Sequence, residues 1–306
     1  MPQYDFDLFT IGGGSGGVAA SRRAGSLGAR VALCEDSQLG GTCVHRGCVP
    51  KKLLVYGAHF GEEFEDAAGF GWSLPERRFD WRKLQEAKER ELERLEGVYQ
   101  RLLRDAGVSI LQGRGRVVDA HTVEVGGKRY TARHLLVATG SRPALPEDVR
   151  GLEHALTSDG ALSLPELPHR VAIVGGGYIG VEFAGIFNAL GSRVTLLLRD
   201  NQVLSGFDAD VRSALTQELR KKGIFKASHT AFVTFEDVKD AVSTFGPGAV
   251  HVRPLMAPSK LHAKSYTTLT TRRWSRNLRQ NQETLSGAKC RCQPGKGASA
   301  ASSSWA

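Results

Sequence analysis

Twice in this chain a short apolar run leads into three glycines of the same spacing and then into a helix-like stretch. The first is Asp7-Leu-Phe-Thr-Ile11 followed by Gly12-x-Gly14-x-x-Gly17. The second is Val171-Ala-Ile-Val followed by Gly175-x-Gly177-x-x-Gly180. No other feature restricts the fold as much. The first glycine of such a motif permits the tight turn from strand to helix. The second lets a pyrophosphate approach the backbone, and the third lets helix and strand pack closely. The phosphates then lie at the positive N-terminus of the helix.

In the first unit Val18–Leu27 reads as the helix, ended at Gly28, and Ala29–Glu35 as the returning parallel strand. Glu35 closes that strand where a carboxylate accepts ribose hydroxyls. Two such units predict an α/β fold with two Rossmann-like dinucleotide-binding domains. Between them, residues 80–106 read as a long charged amphipathic helix. Its apolar stripe is Trp81, Leu84, Leu92, Leu95 and Leu102. Residues 108–140 read as short strands around a turn at Gly126-Gly127, and the proline-bearing segment from Arg142 to Arg170 as linker and loop.

Length and composition set outer bounds. The chain has 306 residues, of which 41% are hydrophobic, enough for two ordinary domains. No apolar run is long enough to span a bilayer, and Met1–Asp5 has no basic targeting region, so a cytoplasmic protein is expected. The net charge of +9 suggests a nucleic-acid partner until it is located. Residues 1–224 hold 29 Lys and Arg against 28 Asp and Glu, whereas residues 225–306 hold 12 against 4. The basic segment is rich in Ser and Thr, poor in periodicity and low in complexity at its end. It shows no recognisable nucleic-acid fold, so neither a nucleic acid nor a membrane is expected as partner.

Five cysteines are too few for a disulfide scaffold in a chain this long. Two stand in Gly40-Gly-Thr-Cys43-Val-His-Arg-Gly-Cys48-Val-Pro-Lys-Lys52. Cysteines five apart at the start of a helix can close a disulfide across its first turn, and the helix N-terminus would lower a thiolate pKa there. Two buried core cysteines are the plain alternative. Half of a zinc site is another, but it would need Cys290-x-Cys292 as the second pair, so no metal is expected. Cys34, in a strand, reads as a core cysteine, and His45 as a loop residue.

The combination of the upstream glycine loop, GGTC and GCVPKK resembles the redox-active segment of the pyridine nucleotide–disulfide oxidoreductases, and within them the glutathione reductase branch. The resemblance covers about residues 4–224. It implies an FAD-binding domain over residues 1–142, with the redox-active dithiol, and a partial NAD(P)H-binding domain over 143–224. It implies FAD on the first loop, contacted by Gly12, Gly14, Ser15, Gly16, Gly17, Glu35, Thr42, Gly115, Thr139 and Gly140. Cys48 would lie nearest the flavin and Cys43 would meet substrate. Lys51 would sit beside the flavin ring, paired with Glu182 from the second unit.

The resemblance further implies that Gly175, Gly176, Gly177, Tyr178, Ile179 and Gly180 hold the nicotinamide dinucleotide, with Tyr178 as an aromatic gate. An arginine after the second strand accommodates the 2′-phosphate of NADP, whereas an acidic residue favours NAD. Here Arg199 matches one of two arginines usual in that branch, the second position is Ser205, and Asp200 intervenes. NADPH is therefore expected, with NADH possible. Ser15, Ala19, Arg22 and Tyr99 match substrate-lining positions and favour glutathione disulfide.

The implied activity is NADPH-dependent reduction of glutathione disulfide through FAD and a Cys43–Cys48 dithiol, serving redox homeostasis. Family members are homodimers whose interface domain also supplies an acid histidine and a further FAD contact. None of those motifs occurs here, and residues 225–306 read as an unmatched basic tail from a shifted frame or recombined end. Two alternatives stay open at this point. One is a catalytically incomplete flavin-binding fragment. The other is a related reductase of the dihydrolipoamide dehydrogenase or mercuric reductase type.

Overall fold

Strand β1 (Phe6–Ile11) runs from a half-buried start into a buried end, because Phe9 and Ile11 pack in one core while Thr10 is also enclosed. Helix α1 (Ser15–Ser26) follows the glycine turn, stops at Leu27, and lets Gly28 reverse the chain at φ +87°. Strand β2 (Val31–Glu35) returns parallel to β1, with Leu8 opposite Val31 and Ile11 opposite Cys34. The computed structural model describes residues 4–73, 76–145, 152–227 and 249–253.

The dithiol segment forms two helices, α2 (Gly41–His45) and α3 (Cys48–Asp66). Helix α4 (Trp81–Asp105) is capped by Asp80, whose carboxylate accepts from the Lys83 N–H. Its buried positions are Trp81, Lys88, Leu92 and Leu103, so the far end of the stripe is Leu103 and not Leu102. Over so long a helix, the 3.6-residue period moves the buried face one place along. Lys88 is buried because its Nζ donates to the Leu162 carbonyl at 2.6 Å and pairs with Glu89 at 2.9 Å.

Strands β3 (Val108–Gln112), β4 (Gly115–Val117), β5 (Thr122–Val125) and β6 (Lys128–Val137) complete the first sheet in the order β3-β2-β1-β6-β5-β4. The Gly126-Gly127 turn has two positive φ angles, 56° and 80°, as a tight hairpin requires.

The segment whose prolines suggest a linker contains strand β7 (Ala155–Thr157) and helix α5 (Ser158–Leu162). Strand β8 (Arg170–Val174), helix α6 (Tyr178–Ala189), strand β9 (Arg193–Leu197) and helix α7 (Ala209–Lys221) repeat the opening pattern. Regular structure continues past Ile224, where the sequence pattern suggests an end. Strands β10 (Phe225–Ala227) and β11 (Ala249–Arg253) join a wholly parallel second sheet ordered β10-β9-β8-β11-β7. The architecture is thus α/β with parallel-rich sheets. Most of the basic segment, Cys290 and Cys292 included, lies outside the described residues.

The largest core joins the two halves. Leu54 of α3 and Trp81 of α4 are buried with Phe183, Ile186 and Phe187 of α6 and with Ile173 and Leu196 of the second sheet. Trp81 also donates its indole N–H to the Leu164 carbonyl at 2.8 Å. Among the described residues no helix is long and apolar enough to cross a membrane.

Candidate active site

The first glycine loop is built by close backbone contact. A Cβ at Gly12 would meet the Ala138 carbonyl oxygen at 2.4 Å, and one at Gly17 would meet the Gly12 oxygen at 1.9 Å. The same contact brings Thr139, just past β6, beside Gly12, and Gly140 follows it in the chain at φ +70°. Towards the outside the loop is open: a Cβ at Gly16 would meet nothing within 4 Å. Helix α1 starts there with no side-chain cap and no acidic residue in its first turn. Its first N–H groups and the helix dipole therefore suit an anion. Glu35 reaches back to the loop, accepting from the Gly13 N–H at 2.6 Å and the Ser37 N–H at 2.9 Å. A carboxylate has further lone pairs, so it can still accept a ribose hydroxyl. Gly115 lies at the far end of β2, where a Cβ would meet the Cys34 sulfur at 2.6 Å. The chemistry and shape of this cradle fit the diphosphate and ribose of a dinucleotide.

The dithiol segment is docked directly on that loop. Gly40 donates its N–H to the Gly13 carbonyl at 2.8 Å and forms a parallel bridge with Gly14. Gly41 has a φ of +58°, and a Cβ on it would lie only 2.7 Å from the Gly14 Cα. Only glycine allows both the left-handed backbone and this approach. Thr42 is exposed on α2, and Cys43 is half-buried one residue further. Cys48 opens α3 and is the more exposed of the two.

Both cysteines are thiols in this structure and interact side chain to side chain. Burial pushes the Cys43 thiol above the ordinary range, and the neighbouring Cys48 pushes it further; the Ser15 hydroxyl opposes this by donating to the sulfur. The lowering expected from a helix N-terminus is therefore outweighed at Cys43, which sits inside α2 instead of at the start of α3. Cys34 is fully buried, and burial raises its thiol pKa as for an inert core cysteine. The His45 ring closes α2 and bonds the Leu39 carbonyl at 2.9 Å.

One turn into α3, Lys51 meets Glu182 of α6 with Nζ to Oε1 at 2.7 Å. The side chains are 27% and 34% exposed, so the pair contributes about 1 kcal/mol or less to stability. Its significance is positional: it joins residues 131 apart in sequence at the seam between the two glycine-loop units. Tyr178 and Ile179 open α6 one turn before Glu182, and the Tyr178 ring is half-exposed.

The second loop repeats the first. Gly175 turns the chain at φ +110°, Gly177 caps α6 without a side-chain bond, and Gly180 is buried. A Cβ at Gly175 or Gly177 would meet nothing within 4 Å. Arg199 is exposed just beyond β9. Asp200 accepts from the Arg212 guanidinium of α7 at 2.8 Å, a partner that no sequence spacing points to. Ser15, Ala19 and Arg22 fall on one exposed face of α1, with Arg22 about 10 Å along the axis from Ser15. Tyr99 of α4 is half-buried against the core that holds Val18 of α1.

The signature of the pyridine nucleotide-disulphide oxidoreductases matches residues 6–253. The chain belongs to this family. Oxidoreductases of the family use FAD and NADPH, and the two open loops suit two dinucleotides. The chain is 55% identical over 217 residues to the chloroplastic/mitochondrial glutathione reductase of Pisum sativum, covering 67% of this chain and 39% of the relative. It is 51% identical over 243 residues to the glutathione reductase of Burkholderia cepacia, covering 79% of this chain and 54% of the relative. The glutathione reductase of Nostoc sp. is 45% identical over 239 residues, 78% of this chain and 52% of the relative. The chain thus spans about half the length of the curated relatives it matches.

Proposed function

We propose that this chain carries the electron-transfer centre of an NADPH-dependent glutathione-disulfide reductase. FAD occupies the loop at Gly12–Gly17 within residues 1–142. NADPH occupies the loop at Gly175–Gly180 within the unit that begins near residue 143. The observation that carries this reading is the Lys51–Glu182 pair. It ties the helix that starts at Cys48 to the helix that starts at the second glycine loop, which supports one electron path through both loops and the dithiol.

Deprotonated Cys43 attacks one sulfur of glutathione disulfide. The Cys43–glutathione bond forms, the glutathione S–S bond breaks, and one glutathione thiolate leaves. Cys48, as thiolate, attacks the Cys43 sulfur, closing the Cys43–Cys48 disulfide and expelling the second glutathione. The protons lost by the two cysteines balance those the two glutathiones gain. Bound FAD and NADPH supply the two-electron reduction that reopens the disulfide.

Ser15, by donating to the Cys43 sulfur, favours the attacking thiolate against the effect of burial. Lys51 sets a positive charge at the first turn of α3, and Glu182 fixes where it points. Arg22, on the exposed face of α1 with Ala19, provides a cation for a glutathione carboxylate. The small number of cysteines, five in 306 residues, supports a cytoplasmic setting.

The test is a flavin titration. Adding one equivalent of NADPH to the flavin-loaded chain should raise a long-wavelength thiolate–flavin absorption. Cys48→Ser should abolish it and Cys43→Ser should retain it. A chain that binds flavin but never shows the band overturns the dithiol assignment, and a chain that binds no flavin overturns the assignment of the first loop.

A further inference from the structure

The segment after β9 is held in place from three sides. The Leu204 N–H donates to the Gly176 carbonyl of the second glycine loop at 2.6 Å. Thr216 of α7 accepts from the Val203 N–H at 3.3 Å. Arg212, also on α7, donates through Nε to the Val203 carbonyl at 3.1 Å and through a terminal nitrogen to Asp200 at 2.8 Å. Asp200 is thus fixed next to Arg199, two residues past Leu198, which holds in the second unit the place that Glu35 holds in the first, and its negative charge there opposes a 2′-phosphate drawn by Arg199. Its other oxygen accepts from the Asn201 N–H at 2.6 Å. Offering both oxygens to a ribose would mean giving up a charge-assisted bond to Arg212.

We propose that Arg212 sets the nucleotide preference of this site by neutralising Asp200, so that the pocket accepts a 2′-phosphorylated dinucleotide despite the acidic residue. The proposal rests on the second loop being the nicotinamide dinucleotide site, and it deepens that reading. Arg212 sets one positive charge directly against the Asp200 carboxylate, which offsets its repulsion of a 2′-phosphate. Without Arg212 that offset is gone, and the Asp200 carboxylate repels the phosphate more strongly. The guanidinium therefore supplies the charge that Ser205 lacks. Arg212 is a positioning and specificity residue; it need not touch the nucleotide.

The test is calorimetric binding of 2′,5′-ADP and of 5′-AMP to the full 306-residue chain, which needs no turnover. The wild-type chain should bind 2′,5′-ADP the more tightly. Arg212→Met should weaken 2′,5′-ADP roughly tenfold while changing 5′-AMP by less than about threefold. Asp200→Asn alone should hold or strengthen 2′,5′-ADP binding. Asp200→Asn added to Arg212→Met should restore most of the loss, which a merely structural role for Arg212 would not allow. Equal weakening of both ligands by Arg212→Met, or weaker 2′,5′-ADP binding in Asp200→Asn, overturns the proposal while leaving the nucleotide site standing. So does a wild-type preference for 5′-AMP. A wild-type chain that binds neither ligand overturns the nucleotide site and the proposal together.

Discussion

Gly41 has no room for a side chain, and the atom in its way is backbone. A Cβ there would lie 2.7 Å from the Gly14 Cα, at a φ of +58°. Neither strand of this contact can swing aside as a flexible side chain would. Gly41→Ala is expected to cost about 1–3 kcal/mol. Gly16→Ala, where the same atom meets nothing within 4 Å, should cost much less. Thermal denaturation of the two variants checks this. Cys43 gives a second expectation. Its thiol is raised first by burial and then by Cys48, so at neutral pH the protonated form dominates and thiolate appears only as pH climbs beyond the ordinary thiol range. Alkylation of Cys43 should therefore keep accelerating above about pH 8.5. Cys48→Ala removes the second cause and should move that profile to lower pH without bringing it to the free-thiol position. Mass-spectrometric rates with iodoacetamide, site by site, read it directly.

At the scale of elements, what the sequence made legible were the pieces with a strong local cause. The β1–α1–β2 unit could be read because an apolar run, three glycines and Gly28 each dictate their own conformation. The same holds for β8–α6–β9. Strands β7, β10 and β11 could not, since no glycine loop follows them and they are strands only because a neighbour pairs with them. The candidate site divides similarly. The Gly12–Gly17 loop, Glu35 and the two cysteines stand close in sequence and are legible from spacing. The Asp200–Arg212 bond is not, because it crosses an irregular turn before α7 resumes a regular period. Helix α4 offers the element-scale prediction. Asp80 satisfies the Lys83 N–H at its start. Asp80→Ala should lower stability by about 1 kcal/mol, and Asp80→Asn should recover most of it, as measured by urea denaturation.

Across the whole molecule, the core of the second sheet takes in residues of α3 and α4 from the first glycine-loop unit. Leu54, fully buried, belongs to the dithiol helix, yet its neighbours Phe183 and Phe187 belong to the helix of the second glycine loop. Leu54→Ala should cost about 2–5 kcal/mol. Because the residue is shared, far-ultraviolet dichroism and tryptophan fluorescence should lose their signals together in guanidinium, at a lower midpoint than in the parent chain. Two separated transitions, with only one displaced, would show that the halves are held independently. Loss of this packing would also free Lys51 from Glu182, since α3 and α6 bring the pair together.

The bridge between Gly14 and Gly40 carries a consequence for how such a chain can change over generations. The segment that would hold phosphate and the segment that bears the thiols share a wall one backbone thick. A larger residue on either side is felt by the other, so the two cannot drift apart by separate small steps. Their glycines form a single heritable unit, and a graft of residues 40–48 into another protein would have to bring residues 12–17 along.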